Sequence, residues 1–377
     1  MEIINYMDDI GPEKIIELYH TQTQLKAIVV VDNTNLGPSI GGIRFAPDVS
    51  VKEVFTLARA MTFKNAAAEI PHGGGKAAIR GNPEKYAQDR EKRKLLIESF
   101  AMGIKDIKDY IPGPDMGTNE EDMQIIYDLI GRATGRPKEK GGIPLDEFGL
   151  TGLGLIEALK VIEEENFIDG LNLGEAKISI EGYGNVGKAV AKYVSPLGAK
   201  IIAVSDLLDY EKNIGGVVYN ENGLDVGRLT ELVNKGKSVV DYDGDAQIFK
   251  GKENLYRLQA IKSDVLVPAA RAETINNGNM KYIDTKLILQ GANKPLTLEA
   301  ESYLHQKGII SAPDYIVNSG GVIACAEEYT NQTVEHCRER IIITIRKNTY
   351  EVFDRAKREK IIPREAANRM VVSRIKV

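Results

Sequence analysis

The stretch Gly182-Tyr183-Gly184-Asn185-Val186-Gly187 constrains this chain more than any other. Glycine turns are common, and the pattern alone says little. Here it stands between the apolar, β-branched run Lys177-Ile178-Ser179-Ile180 and the helix-forming run Lys188-Ala189-Val190-Ala191. A strand that leaves a glycine turn as a helix begins a βαβ unit suited to a dinucleotide. The first glycine permits the tight turn, and the second lets the backbone approach a pyrophosphate. The third lets helix and strand pack closely, while the N–H groups of the helix start, at Asn185 and Val186, face the phosphates. A second strand, Ile201-Ile202-Ala203-Val204, ends in Ser205-Asp206. An acid there, roughly 20 residues beyond the last glycine, can accept from the adenosine ribose hydroxyls. Asp206 favours NAD, because its charge repels a 2′-phosphate. Ser205 can donate to such a phosphate, which leaves NADP open.

The same rhythm continues around this unit. Helix 151–165 precedes strand 176–181, helix 186–195 and strand 199–205, and apolar strands follow at 264–268, 286–290 and 309–311. Such alternation implies a parallel sheet with helices on both faces. The preceding part reads differently, with a strand at 25–31 and helices at 52–69, 84–107 and 119–132. Between them, Pro71 to Lys76 (PHGGGK) and Ile111 to Gly117 (IPGPDMG) read as loops. The Pro/Gly-rich stretch 136–149 reads as a domain connection, and the charged, helical tail is expected to return to the first domain. With 377 residues the chain is too long for one compact core. The expected fold class is therefore α/β with two domains. Residues 149–324 form a Rossmann-like, doubly wound dinucleotide-binding domain; 1–148 plus 325–377 form a discontinuous α/β substrate-binding and oligomerisation domain.

Composition narrows the partners. A net charge of −5, with basic residues dispersed, gives no electrostatic basis for nucleic acid or an anionic membrane. No apolar run approaches the roughly 20 residues of a membrane span, and the acidic N-terminus has no signal-peptide pattern. Two cysteines, Cys325 and Cys337, cannot build a disulfide framework, so a cytoplasmic location is expected. Four scattered histidines show no metal-ligand spacing, and no metal is expected.

Hydride transfer needs groups that bind substrate and manage protons. Lys64, Lys76 and Asp115 each stand beside glycines or a helix end. A lysine in a cleft can clamp a carboxylate as a cation or, desolvated beside a like charge, act in proton transfer. An aspartate in a Pro/Gly loop can serve as general acid and base. Spacing alone leaves these roles open between chemistry and surface charge.

A series of motifs runs in order along the chain: GPSIGGIR (37–44), MTFKN (61–65), GGGK (73–76), PDMGT (114–118), GYGNVG (182–187), GAN (291–293) and APDYIVNSGGV (312–322). This series resembles the glutamate/leucine/phenylalanine/valine dehydrogenase family across nearly the whole chain. The resemblance implies oxidative deamination of an L-amino acid to its 2-oxo acid and ammonia, with NAD or NADP as hydride acceptor. On that basis Lys64 binds the substrate α-carboxylate, Lys76 activates the attacking water, and Asp115 shuttles protons. Asn318 sits near the substrate and nicotinamide, Asn293 supports the nicotinamide side, and Thr151 and Ala269 are further cofactor contacts. A homo-oligomer, hexamer or octamer, is also implied.

The substrate pocket divides the family. Glutamate-specific members carry lysine immediately before the first Gly-Gly; here Ile40 precedes Gly41. They also usually place serine where this chain has Cys325. Burying a side-chain carboxylate without either partner costs several kcal/mol, which favours a branched-chain or other hydrophobic amino acid, as in leucine dehydrogenases. Against this, residues 213–225 resemble the glutamate branch, so glutamate dehydrogenase is the alternative. A nucleotide-binding regulator without activity is a second alternative, and intact Lys64, Lys76 and Asp115 argue against it.

Overall fold

The computed structural model describes residues 6–376; residues 1–5 and 377, the two ends of the expected first domain, lie outside the described residues. The chain divides into two compact units, Met1–Leu145 with Gly321–Arg340 and Arg369–Val377, and Asp146–Gly320 with Ile341–Asn368.

The first unit opens with β1 (Lys14–His20), β2 (Leu25–Asn33) and β3 (Ser39–Ala46), followed by α1 (Val51–Ala67) and β4 (Gly74–Arg80). Then come α2 (Pro83–Ala87), α3 (Arg90–Ile104), β5 (Tyr110–Pro114) and α4 (Glu120–Ile130). The strands form one sheet in the order β1-β2-β4-β3-β5. β3 runs parallel to β4 and β5, while β2 is antiparallel to β1 and β4. One face buries Ile43, Phe45, Ile79, Phe100 and Ile126, and the other buries Val30, Val54, Ala58 and Ala78. Ser50 caps α1 by accepting from Glu53 N. Where one helix is expected over 84–107 there are two, because Asp89 starts a new one by accepting from Lys92 N.

Two stretches read as loops are strands. Gly74 to Lys76 begins β4, which lies next to β3 inside the sheet. The glycines are there because neighbours press on the backbone. A Cβ on Gly74 would stand 2.0 Å from Thr62 N of α1, and one on Gly75 would stand 2.7 Å from Ser39 Oγ. Pro112 and Pro114 fall in β5, an edge strand, where a missing N–H leaves no gap in the ladder.

The second unit follows α5 (Leu145–Phe148) with α6 (Leu150–Glu164), β6 (Lys177–Glu181), α7 (Asn185–Val194), β7 (Lys200–Asp209) and β8 (Ile214–Tyr219). It continues with α8 (Val226–Asn234), β9 (Gln247–Lys250), α9 (Tyr256–Ala260), β10 (Val265–Pro268), β11 (Leu287–Leu289), α10 (Leu298–Gln306), β12 (Ile310–Ala312) and α11 (Asp314–Val317). Its sheet has the order β12-β11-β10-β6-β7-β8-β9. The five strands from β12 to β7 are parallel, as the βα rhythm requires. β8 and β9 add antiparallel strands, so the sheet is mixed rather than wholly parallel. Gly215 and Gly216, both at positive φ, hide β8 from a pattern of alternating hydrophobicity. Since β7 lies on one side of β6 and β10 on the other, the winding reverses at β6, the position where doubly wound sheets open a crevice.

Three helices end the chain: α12 (Gly320–Tyr329), α13 (Val334–Glu359) and α14 (Pro363–Ile375). The tail does not group as one piece. Residues 321–340 and 369–377 cluster with the first unit and 341–368 with the second, whereas the sequence places all of 325–377 with the first domain.

Candidate active site

In the first unit, β3, β4 and β5 bring Lys76 and Asp115 together. Lys76 follows the glycines of β4 and is 7 % exposed; Asp115 directly follows β5. The Lys76 ammonium lies 2.9 Å from Asp115 Oδ2. Gly42 of β3 makes the pairing possible, since a Cβ there would stand 2.8 Å from Asp115 Cβ and 3.3 Å from Lys76 Nζ. Gly41 is as tightly constrained, its missing Cβ facing Gly75 O at 1.7 Å. Arg44 Nε donates to the same Asp115 oxygen at 3.2 Å. Burial alone would raise the Asp115 pKa, but the Lys76 ammonium, hydrogen-bonded to it, and the Arg44 guanidinium outweigh burial and hold the carboxyl below the usual aspartate value.

Lys64 stands in the last turn of α1, where close packing of α1 on Gly74 carries it. Ile40 is 2 % exposed, paired in register with Gly74 and Ile111. Cys325 lies half-buried on α12. Burial, then the Glu328 carboxylate, push its thiol up to about 12, while the neighbouring Thr134 hydroxyl and the Lys64 charge pull the other way. The thiol is therefore neutral, and Lys64 acts on it electrostatically. Glu328 is itself buried, accepting from Arg136 N at 3.1 Å, Arg136 Nε at 3.3 Å and Ile143 N at 3.0 Å.

In the second unit the glycine turn sits at the carboxyl end of β6, and its geometry fits a dinucleotide. Gly182 has φ +89°, and a Cβ on Gly187 would stand 2.0 Å from Gly182 O. A Cβ on Gly184 would meet nothing within 4 Å, so that side of the backbone is open. Gly184 caps α7 without any side-chain hydrogen bond, which leaves the amides at Asn185 and Val186 for an anion. Val186 packs beside Gly291, 3.3 Å from where its Cβ would be.

Asn318 carries a second signal. Its Nδ2 donates to Gly291 O at 3.2 Å, Ala292 O at 3.3 Å and Asn293 Oδ1 at 3.2 Å. These acceptors fix the amide so that Oδ1, buried and without a hydrogen-bond partner, is presented as an acceptor. A buried orphan acceptor costs about 1–3 kcal/mol, and a carboxamide or amine donor from a ligand would satisfy it. Asn293 is exposed beyond β11. Thr151 opens α6, its Cα 3.3 Å from where a Cβ on Gly320 would lie. Ala269 directly follows β10, its amide donating to Glu181 O at 2.7 Å.

Asp206 differs from expectation in its company. Both its oxygens are engaged, Oδ1 by Ser238 Oγ at 2.9 Å and Oδ2 by Val239 N at 3.3 Å. A carboxylate has about four acceptor positions, so ribose contacts remain open to it. Burial raises its pKa against these hydrogen bonds. Three contributors escape the sequence reading as site residues: Gly42, Arg44 and Ser238. The first two lie inside the quoted motif GPSIGGIR; Ser238 carries no local signal. No group of three or more His, Cys, Asp or Glu among the described residues is arranged to hold a metal ion, and no described helix is long and apolar enough to cross a membrane.

A doubly wound sheet with an uncapped glycine turn at its reversal point, in a chain that also carries an amine–carboxylate pair, defines a dinucleotide-dependent oxidoreductase. Comparison with known proteins makes the class specific. Residues 13–132 match "Glu/Leu/Phe/Val dehydrogenase, dimerisation domain", and residues 141–377 match "Glutamate/Leucine/Phenylalanine/Valine dehydrogenase". The chain belongs to the glutamate/leucine/phenylalanine/valine dehydrogenase family, as an NAD(P)-dependent amino-acid dehydrogenase. An NADP-specific glutamate dehydrogenase of Saccharolobus shibatae is 36 % identical over 313 residues, covering 79 % of this chain and 69 % of that protein. A glutamate dehydrogenase of Aeropyrum pernix is 35 % identical over 79 % of this chain and 70 % of its own. Among solved structures, the leucine-bound hetero-hexameric glutamate dehydrogenase of Thermus thermophilus has a TM-score of 0.80 at 25 % identity, covering 97 % and 88 % of the two chains. The L-tryptophan dehydrogenase of Nostoc punctiforme, at 23 % identity and TM-score 0.75 over 100 % and 99 %, shares the fold.

Proposed function

We propose that this enzyme oxidatively deaminates a hydrophobic L-amino acid, of the leucine, valine or isoleucine class, to its 2-oxo acid and ammonia. The observation that carries the substrate class is Ile40, apolar and buried at the position immediately before Gly41-Gly42. The second marker agrees, since Cys325 offers a neutral thiol. An apolar side chain gains roughly 25 cal/mol per Å² buried against such a surface, whereas a carboxylate taken there without a cation loses its hydration uncompensated.

Each named group then has a task. Lys64 clamps the α-carboxylate. Asp115 first takes a proton from the Lys76 ammonium 2.9 Å away; the neutral Lys76 amine then takes one from the water as that water adds to the imine carbon, and Asp115 gives its proton to the departing amine. Asn318 Oδ1 accepts from the bound ligands and orients them. The glycine turn, the start of α7 and Asp206 hold the dinucleotide, which when bound supplies the hydride acceptor. Asp206 favours NAD; the hydrogen bonds that Ser238 and Val239 donate to it soften its repulsion of a 2′-phosphate and keep NADP as a second cofactor.

Glutamate is the second reading, favoured by the names of the relatives at 36 % and 35 % identity. The deciding measurement is kcat/KM for leucine, valine, phenylalanine and glutamate with NAD and with NADP, followed at 340 nm. Leucine or valine is expected to exceed glutamate by at least tenfold, and Ile40→Lys is expected to narrow that ratio. A wild type that prefers glutamate, or an Ile40→Lys variant whose ratio is unmoved, refutes the pocket assignment.

A further inference from the structure

Arg44 lies on β3 two residues beyond Gly42, so its side chain leaves the same face of the strand. Its Nε donates to Asp115 Oδ2 at 3.2 Å, the oxygen that also receives Lys76 Nζ at 2.9 Å. Its Nη1 donates to Glu53 Oε1 at 2.8 Å. Glu53 stands in the first turn of α1, its own amide held by Ser50 Oγ. A guanidinium presents its donors in a rigid fork, so fixing one of them on a helix end fixes where the others point. Asp115 is secured from the backbone side as well, its amide donating to Thr118 Oγ1 and that hydroxyl donating to Ile43 O.

The ionisable groups facing Asp115 are Lys76 from β4, Arg44 from β3 and the buried Tyr110 from β5, whose phenol is kept neutral by burial and then by the Asp115 charge. With Lys76 alone, the moment at which Asp115 has released its proton and Lys76 is still the free amine would leave a half-buried carboxylate with no countercharge. Arg44 stays charged at every working pH, so the carboxylate is compensated in both states of Lys76. We propose that Arg44 is a positioning residue of the proton relay: anchored on Glu53, it holds Asp115 aimed at Lys76 and favours its return to the carboxylate once its proton has been passed on. The proposal rests on the deamination reading above.

The test follows kcat and KM for the preferred amino acid from pH 3 to 10 in wild type, Arg44→Met, Arg44→Lys and Glu53→Gln, with circular dichroism and a urea midpoint for each. Arg44→Met is expected to lower kcat roughly 10–100-fold with KM within threefold. It should also move the acidic limb of kcat/KM upward by roughly 0.5–1 pH unit, because an ionised carboxyl that loses a cation titrates higher. Arg44→Lys should restore the limb but not the full kcat, since one ammonium cannot hold Asp115 and Glu53 together. Glu53→Gln should reduce kcat less and leave the limb in place. A folded Arg44→Met with an unmoved limb, or with its loss confined to KM, overturns the proposal. Should Arg44→Met fail to fold, an Arg44→Lys enzyme with wild-type kcat overturns it instead. A wild type inactive on every amino acid sinks the deamination reading and the relay with it, which separates the two failures.

Discussion

Asp115 keeps a negative charge in a half-buried position because two cations share one of its oxygens. That arrangement makes it a proton acceptor with a fixed approach rather than a surface acid. Asp115→Asn preserves the shape and one acceptor oxygen while removing the ability to take a proton. It is expected to lower kcat by roughly 10²–10⁴ with little change in KM; a loss below tenfold in steady-state assays would show that the shuttle lies elsewhere. Residues of this kind were legible in the sequence because their signal is local. Lys76 and Asp115 each sit inside a short run of glycine or proline that only a close backbone approach explains. Arg44 closes another of the motifs, GPSIGGIR, yet its partners lie 9 and 71 residues away, and no local pattern announces such a contact. Ser238, which meets Asp206 across 32 residues, was hidden for the same reason.

Elements were legible where their own period decided them and obscure where the packing did. β6, α7 and β7 follow from an apolar run, a glycine turn and a second apolar run. β4 and β5 do not, since glycine and proline normally break strands and here are tolerated, or demanded, by what lies beside them. The end of β6 shows how an element's register creates a titrating site. Glu181, the last residue of the strand, accepts from Thr274 Oγ1 at 2.9 Å. Burial raises its carboxyl from 4.5 to about 7, against the opposing effects of Thr274, Arg271 and Gln259. A carboxyl whose pKa is higher folded than unfolded takes up a proton on folding between those values. Its protonated form is fully compatible with the fold below about pH 4.5, and stability falls as pH rises towards about 7. Glu181→Gln removes that penalty while keeping an acceptor oxygen for Thr274 Oγ1. The variant is expected to be more stable than wild type by roughly 1–3 kcal/mol at pH 8 and nearly equal to it at pH 4.5. Urea titrations at the two pH values check this; an equal difference at both would mean that Glu181 does not titrate in that window.

At the scale of the whole molecule the decisive fact is that the C-terminal tail is divided between the two compact units. Helical period and charge show that residues beyond 325 are helical, but a helix's partner is set by side chains far away in sequence. For residues 341–368 the pin is Arg364. Its Nη2 donates to Gln290 Oε1 at 2.8 Å and to Asp314 Oδ1 at 3.1 Å, while Nε donates to Glu301. Gln290, Glu301 and Asp314 are all nearly inaccessible, so the guanidinium is shared between two carboxylates that water scarcely reaches. Arg364→Met leaves the packing stem and strands both acids. Removing one partner of a buried ion pair costs about 3–5 kcal/mol, equivalent to roughly 6 °C or more in the melting of a unit of this size. Hydrogen exchange should localise the damage, with protection lost in α10, α11 and the start of α14 but retained in β6 and β7. A melting temperature that stays at the wild-type value, or exchange that quickens evenly across the unit, would leave the ion cluster without its role as the pin.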